Sequence, residues 1–166
     1  MRLTGQPQDG PVDSLSVALS RLALSTGIHP CVLAQPQVYR LSFSAEYIDW
    51  CRPKSFKRVT LPWSKAMKQD GVFEALTPKV KRSSTYYAQV ISQAAEDAGI
   101  QGRTAFLRLR HSHIVDLARL EYNPFTITHR TGTSLGSIGR HYTVGMAEAK
   151  RLTGAEKAYL EWLIEP

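Results

Sequence analysis

"TAFLRLRHSHIVDLARLEY", residues 104–122, places an arginine on the apolar side of what its spacing predicts to be a helix over about 105–121. Leu107, Ile114 and Leu117 lie three, four and seven residues from Arg110 and share its side of the cylinder. Arg108, Ser112, Asp116 and Arg119 form the opposite, polar side. A guanidinium keeps its charge at any ordinary pH, and stripping it of water without a partner costs several kcal/mol. Two partners can compensate. One is an internal carboxylate; the other is an anion in a cleft, for which a phosphate suits the planar fork. The local acids do not serve, because Asp116 is on the wrong face and Glu121 is three turns away.

Outward from this segment the chain reads as mainly α with a small antiparallel β-sheet, an α+β fold. Residues 13–27 have a Ser/Asp start, leucines at helical spacing and a terminal Gly. "HPCVLAQ" is a second, short helix with Pro in its first turn. "VYRLSFS", "EYIDWC" and "KRVTLPW", within 38–63, are rich in aromatic and β-branched residues and read as three strands, with "RPKSF" (52–56) as the tip between the last two. "LPWSKAMKQD" starts a short helix, and residues 83–100 form another, with Ser at the front and Gly at the back. Asn-Pro opens a helix at 123–132. Residues 134–145 make a poorer helix, weakened by internal glycines. Residues 154–166 form a short amphipathic helix with Tyr159, Leu160, Trp162 and Leu163. Residues 1–12 read as a flexible lead-in and 13–166 as one domain.

The chain has 166 residues, is 43% hydrophobic and carries a formal net charge of +7. No apolar run approaches the ~18 residues of a membrane span, and the N-terminus lacks the apolar stretch of a signal peptide. Cys31 and Cys51 have no metal-ligand spacing and read as free thiols in a reducing compartment, so a cytoplasmic location without metal or cofactor is expected. The charge is concentrated. Residues 52–82 hold nine basic side chains against Asp70 and Glu74, which is +7 for that stretch alone. Residues 103–140 hold six arginines against Asp116 and Glu121. Such concentration is the footprint of a polyanion binder.

"FLRLRHSHIVDL" resembles the box II motif of tyrosine recombinases, the phage-integrase family, in which Leu109, Arg110 and His111 match the L-R-H of H-x-L-R-H. "TGTSLGSIGRHYT" resembles the family's L-G-H-x-S…Y segment, with Gly132 on its glycine. Tyr142 lies nine residues after Thr133 and Thr133 lies 23 after Arg110, both family-like gaps. "ALSTGIHPCVLAQ" resembles box I, and "PKSFKRVTLP" resembles the hairpin that carries the family's lysine. The resemblance covers about 13–166 and implies that fold. It implies a tyrosine hydroxyl, Tyr142, attacking a phosphodiester to give a 3′-phosphotyrosyl bond and a 5′-hydroxyl. It further implies arginines on the non-bridging oxygens, with Arg110 in that role, and Lys54, or alternatively Lys57, protonating the leaving oxygen.

Three departures weaken the implied chemistry. His29 stands where the family has its first Arg, Leu107 where it has the box II His, and Thr133 where it has the second His or Trp. His111 and His113 flank Arg110, as a structural and a core-edge histidine; either is a candidate for the imidazole that Leu107 lacks. Losing one oriented donor typically costs about 10²–10³ in rate. The expectation is therefore a domain that binds duplex DNA, through Arg52, Lys57, Arg58, Lys81, Arg82, Arg108, His111, Arg130 and Arg140, and cleaves weakly or not at all. A link to recombination or integration of a mobile element, and to the nucleoid of a prokaryote, goes with that reading. The alternatives are an active recombinase completed by Arg21, Arg40 or a partner protomer, and a protein-interaction module without a DNA role. Residues 154–166 could dock on a second copy, as such segments often do in the family, or fold back on their own domain.

Overall fold

The computed structural model describes residues 14–76, 82–100 and 106–166. The lead-in expected at 1–12, and Lys81, lie outside them.

The first helix, α1 (Ser14–Thr26), buries Leu15, Ala18, Leu19, Leu22 and Ala23, the i, i+3, i+4 stripe that its leucines foretell. It ends at Gly27, whose φ of +62° only glycine adopts freely. A Cβ there would also meet the His113 ring at 2.6 Å. A short α2 (Pro30–Ala34) follows, with Pro30 in its first turn and His29 as its N-cap. The sheet is β1 (Ser42–Phe43), β2 (Tyr47–Cys51) and β3 (Arg58–Pro62), antiparallel in the order β1-β2-β3. Cys51 opposite Arg58 fixes the register. Val59 and Leu61 of β3 and Ile48 and Trp50 of β2 are buried. Asp49 accepts from Arg58 at 2.7 and 2.9 Å and from Thr60 at 2.8 Å.

Only two residues of the strand expected over 38–44 pair. Residues 36–40 form turns instead, and the Tyr39 carbonyl accepts the Cys51 N–H at 2.6 Å. The short helix after the sheet is two: α3 (Lys65–Gln69), capped by Ser64, and α4 (Val72–Leu76), with Gly71 between. Then come α5 (Ser84–Asp97), capped by Ser83, α6 (Phe106–Arg119), α7 (Pro124–Thr131), capped by Asn123, α8 (Leu135–Ala149) and α9 (Gly154–Ile164). The poorer helix runs four residues beyond Gly145, because that glycine is where α8 crosses α6: an added Cβ would lie 2.5 Å from Ala118 Cβ and 2.6 Å from the Val115 carbonyl.

Two hydrophobic clusters make the core. One joins α1, α2, the sheet, α4 and α5, and Phe106 from the start of α6. The other gathers Ile114, Leu117 and Ala118 from α6 with Ala66, Ile127, Ile138, Leu163 and Ile164. Helix α6 thus belongs to both, and each large side chain it buries contributes about 1.5–3 kcal/mol. Its apolar stripe differs from the expected one at the first turn, where Leu107 is 42% exposed. The side expected to be solvated is half covered: Asp116 bonds Arg119 at 3.1 Å, and Arg119 reaches Glu148 of α8 at 3.3 Å. Helix α9 is seated on its own domain. The Lys65 N–H donates to the Glu165 carbonyl at 2.9 Å, Trp162 Nε1 donates to Gln69 at 3.2 Å, and the Tyr122 hydroxyl donates to the Glu165 carboxylate.

Candidate functional site

No carboxylate of the described residues pairs with the Arg110 guanidinium. Among the described residues its acceptors are all neutral. One Nη1 hydrogen goes to the Gly27 carbonyl, and Nη2 donates to the Thr131 carbonyl at 2.8 Å and to Thr133 Oγ1 at 2.7 Å. Gly27 follows the last turn of α1, and Thr131 is the last residue of α7. The carbonyls at a helix C-terminus lack intrahelical partners and together carry roughly half a negative charge. Two helix ends therefore hold the cation. Burial pushes the Arg110 pKa down to about 10, opposed by the Cys31 thiol and reinforced by the nearby Arg52 charge. At neutral pH the group is charged. Three of its five donors are used by these bonds.

The last turn of α7 organises the neighbourhood. Gly132, at φ +73°, closes the helix and lets the Arg52 stem lie where a Cβ would sit at 2.8 Å. Arg52, half-buried at the base of the β2–β3 hairpin, donates to the His129 carbonyl. The buried Thr131 hydroxyl donates to the Ile127 carbonyl at 2.8 Å and accepts the Thr133 N–H at 3.3 Å, which fixes the hydroxyl that Arg110 uses.

His29 adds a second donor. Its Nδ1 accepts the Cys31 N–H at 3.2 Å, so the ring proton belongs on Nε2. Burial first, then the Arg110 and Lys54 charges, hold its pKa below the usual imidazole value. Lys54 is exposed at the hairpin tip. Arg110 bonds Thr133, and the Arg110 and Lys54 charges both act on His29, which makes a set of two cationic side chains, an N–H donor and a hydroxyl. Such a set can hold a tetrahedral oxyanion and cannot easily hold a metal, and no group of three metal-ligating side chains occurs among the described residues.

Tyr142 is placed differently. It is half-buried on α8 and packs against the second cluster. The preceding residue, His141, stacks on His111 with ring centroids 4.5 Å apart, which links α8 to the residue after Arg110. His113 is fully buried, not at the core's edge; its Nδ1 bonds the Leu24 carbonyl at 2.7 Å. Of the residues expected to meet a polyanion, Lys57, Arg82, Arg108, His111 and Arg140 are exposed. Arg58 is exposed but paired with Asp49. Arg130 is turned inward, donating to the Ile164 carbonyl at 3.3 Å and lying over the Tyr122 ring. Its task is to seat α9. The acceptors Gly27 O and Thr131 O were not foreseen; the only signal for them is the glycine that closes each helix.

The chain has the fold of a tyrosine-recombinase catalytic domain. A crystal structure of XerA recombinase superposes with a TM-score of 0.58 at 16% identity, over 93% of this chain and 63% of that one. A lambda integrase dimer bound to a core site superposes at 0.59 and 16%, over 84% and 55%. The XerH site-specific recombinase, bound to its difH substrate after cleavage, superposes at 0.58 and 17%, over 89% and 46%. At such identities the likeness is one of fold, and the chain spans less than two-thirds of each of these structures. No protein-family model matches the sequence, and no curated protein matches it either.

Proposed function

We propose that this chain is a DNA-binding domain of recombinase type, which grips duplex DNA by its backbone and cleaves it slowly or not at all. The observation that carries the reading is Arg110: a permanent cation, largely withdrawn from water, whose bonded acceptors are all neutral. Its charge is left for an anion to neutralise. The Lys54 charge reaches His29, and Lys57, Arg82, Arg108 and Arg140 are further exposed cations. Backbone phosphates supply most of the affinity in such interfaces, and contacts to them carry no base sequence. The lambda integrase and XerH structures hold their DNA sites, which supports the same class of ligand for this fold.

Weak cleavage follows from His29, Leu107 and Thr133 at the three positions where the family resemblance calls for stronger donors. Leu107 donates nothing, and Tyr142 packs on a hydrophobic cluster. Proteins of this kind would serve a mobile element as accessory or regulatory partners of its recombination.

The test is a titration of labelled duplex at two salt concentrations with the natural chain and Arg110→Ala. The natural chain is expected to bind, with affinity falling steeply as salt rises; the variant loses about tenfold or more. No binding at low salt removes the DNA reading in favour of an interaction module. A nicked duplex that traps phosphotyrosine separates the two DNA readings. A covalent adduct that disappears in Tyr142→Phe would establish an active recombinase.

A further inference from the structure

The tip of the β2–β3 hairpin has an unfavourable backbone and a contact that holds it there. Lys54 has φ +71° and Phe56 φ +52°, in the left-handed region where non-glycine residues persist only when their surroundings impose it. The tip closes on itself: the Arg52 N–H donates to the Lys57 carbonyl and the Phe56 N–H to the Arg52 carbonyl, both at 2.9 Å. Phe56 is 56% exposed, yet its ring stacks on Tyr39 at 5.9 Å between centroids and 20° between planes. Tyr39 is itself fixed. Its carbonyl accepts the Cys51 N–H at the foot of the hairpin, and its ring packs against the first core cluster, on which Cys31 also packs. Cys31 in turn donates its N–H to His29. The hairpin tip and the His29 loop are thus tied to the same core cluster, one through Tyr39 and the other through Cys31.

We infer that the Tyr39–Phe56 stack is a positioning latch, which holds the strained tip so that the Lys54 ammonium stays on the His29 side and completes the phosphate site. The ligand in this statement rests on the DNA reading above; the geometry does not. Phe56 and Tyr39 touch no phosphate in this scheme. They act through Lys54, whose long side chain would otherwise sample solvent. An aromatic ring spent on an exposed loop is then explained: without it the two left-handed residues relax and the ammonium leaves.

His29 reports where Lys54 is, because the ammonium disfavours the imidazolium. NMR titration of the full chain compares the natural protein with Lys54→Ala, Phe56→Ala, Phe56→Tyr and the Lys54→Ala/Phe56→Ala pair. Lys54→Ala should raise the His29 pKa. Phe56→Ala should raise it by the same amount, the pair no further, and Phe56→Tyr should leave it natural. In duplex titrations Phe56→Ala should match Lys54→Ala: several-fold weaker binding and a salt slope smaller by about 0.9, one phosphate contact. A natural His29 pKa in Phe56→Ala overturns the latch, whatever the DNA result. The expected His29 shifts in a chain that does not bind duplex uphold the latch and remove the DNA reading.

Discussion

Arg110 keeps its charge without an acid because two helix ends and a hydroxyl face it. Hydrogen bonds to charged groups contribute roughly 1.5–3 kcal/mol each, so three of them offset much of the desolvation. That the sequence shows a cation on an apolar stripe was legible; what holds it was not, since the acceptors are backbone groups 83 and 21 residues away. Side-chain patterns do not report carbonyls. His113 illustrates the same limit, reading as a core-edge residue and proving fully buried against α1. Burial, with the Arg130 charge, pushes its pKa down to about 3. The folded value lies below the unfolded one, so the unfolded chain takes the proton first. The stability that neutral His113 contributes is full above about pH 6.5 and is lost as pH falls toward 3, at up to ~1.4 kcal/mol per pH unit. Urea unfolding at about pH 6.5 and about pH 5 should therefore show the natural chain losing about 2 kcal/mol more than His113→Gln. Equal losses would mean that water reaches the ring.

At the scale of elements, the glycines of α8 separate what periodicity tells from what packing decides. Gly136 and Gly139 read as weak points inside the helix, and Gly145 as its end. The helix continues to Ala149 because Gly145 is its contact with α6, whereas a Cβ at Gly139 meets nothing within 4 Å. Opposite outcomes are expected from one substitution. Gly139→Ala should stabilise by up to ~1 kcal/mol, the helix-propensity gain alone. Gly145→Ala should destabilise by about 1–3 kcal/mol despite the same gain, because the added methyl overlaps Ala118 and the Val115 carbonyl. Urea midpoints of the two variants against the natural chain measure both. The strands divide in the same way. β2 and β3 were visible in their aromatic and β-branched residues, and their register follows from the hairpin. The first strand was overextended because its Val, Tyr and Leu resemble a strand, while Tyr39 lies in a turn and meets Cys51 and the hairpin tip. Nothing local distinguishes those two uses of an aromatic residue.

At the scale of the molecule, the family-like motifs, their order and their spacing were enough for the fold; the place of the last helix was not legible, because an apolar stripe fits a neighbour's surface as well as its own. The structure shows α9 covering the second cluster of its own domain, with Leu160, Leu163 and Ile164 at most 4% exposed. Arg130 and Tyr122 hold its end, and Arg21 lies over Trp162 at 4.9 Å while bonding Asp70. Three buried aliphatic side chains at about 1.5–3 kcal/mol each sum to roughly 5–9 kcal/mol, comparable with the whole stability of an ordinary domain. Two outcomes follow from that size. A chain ending at Leu152 should lose its cooperative urea transition and bind a dye specific for exposed apolar surface. The intact chain should scatter light as a monomer over a wide concentration range, since the face that would pair with a second copy is already covered. A dimer whose population rises with concentration and vanishes in Leu163→Asp, with the monomer still folded, would mean that the helix exchanges between copies. In that case the contacts of Arg130 and Glu165 would be the first to break on exchange. Because Arg130 precedes the residue whose carbonyl holds Arg110, the exchange would register at the Arg110 guanidinium.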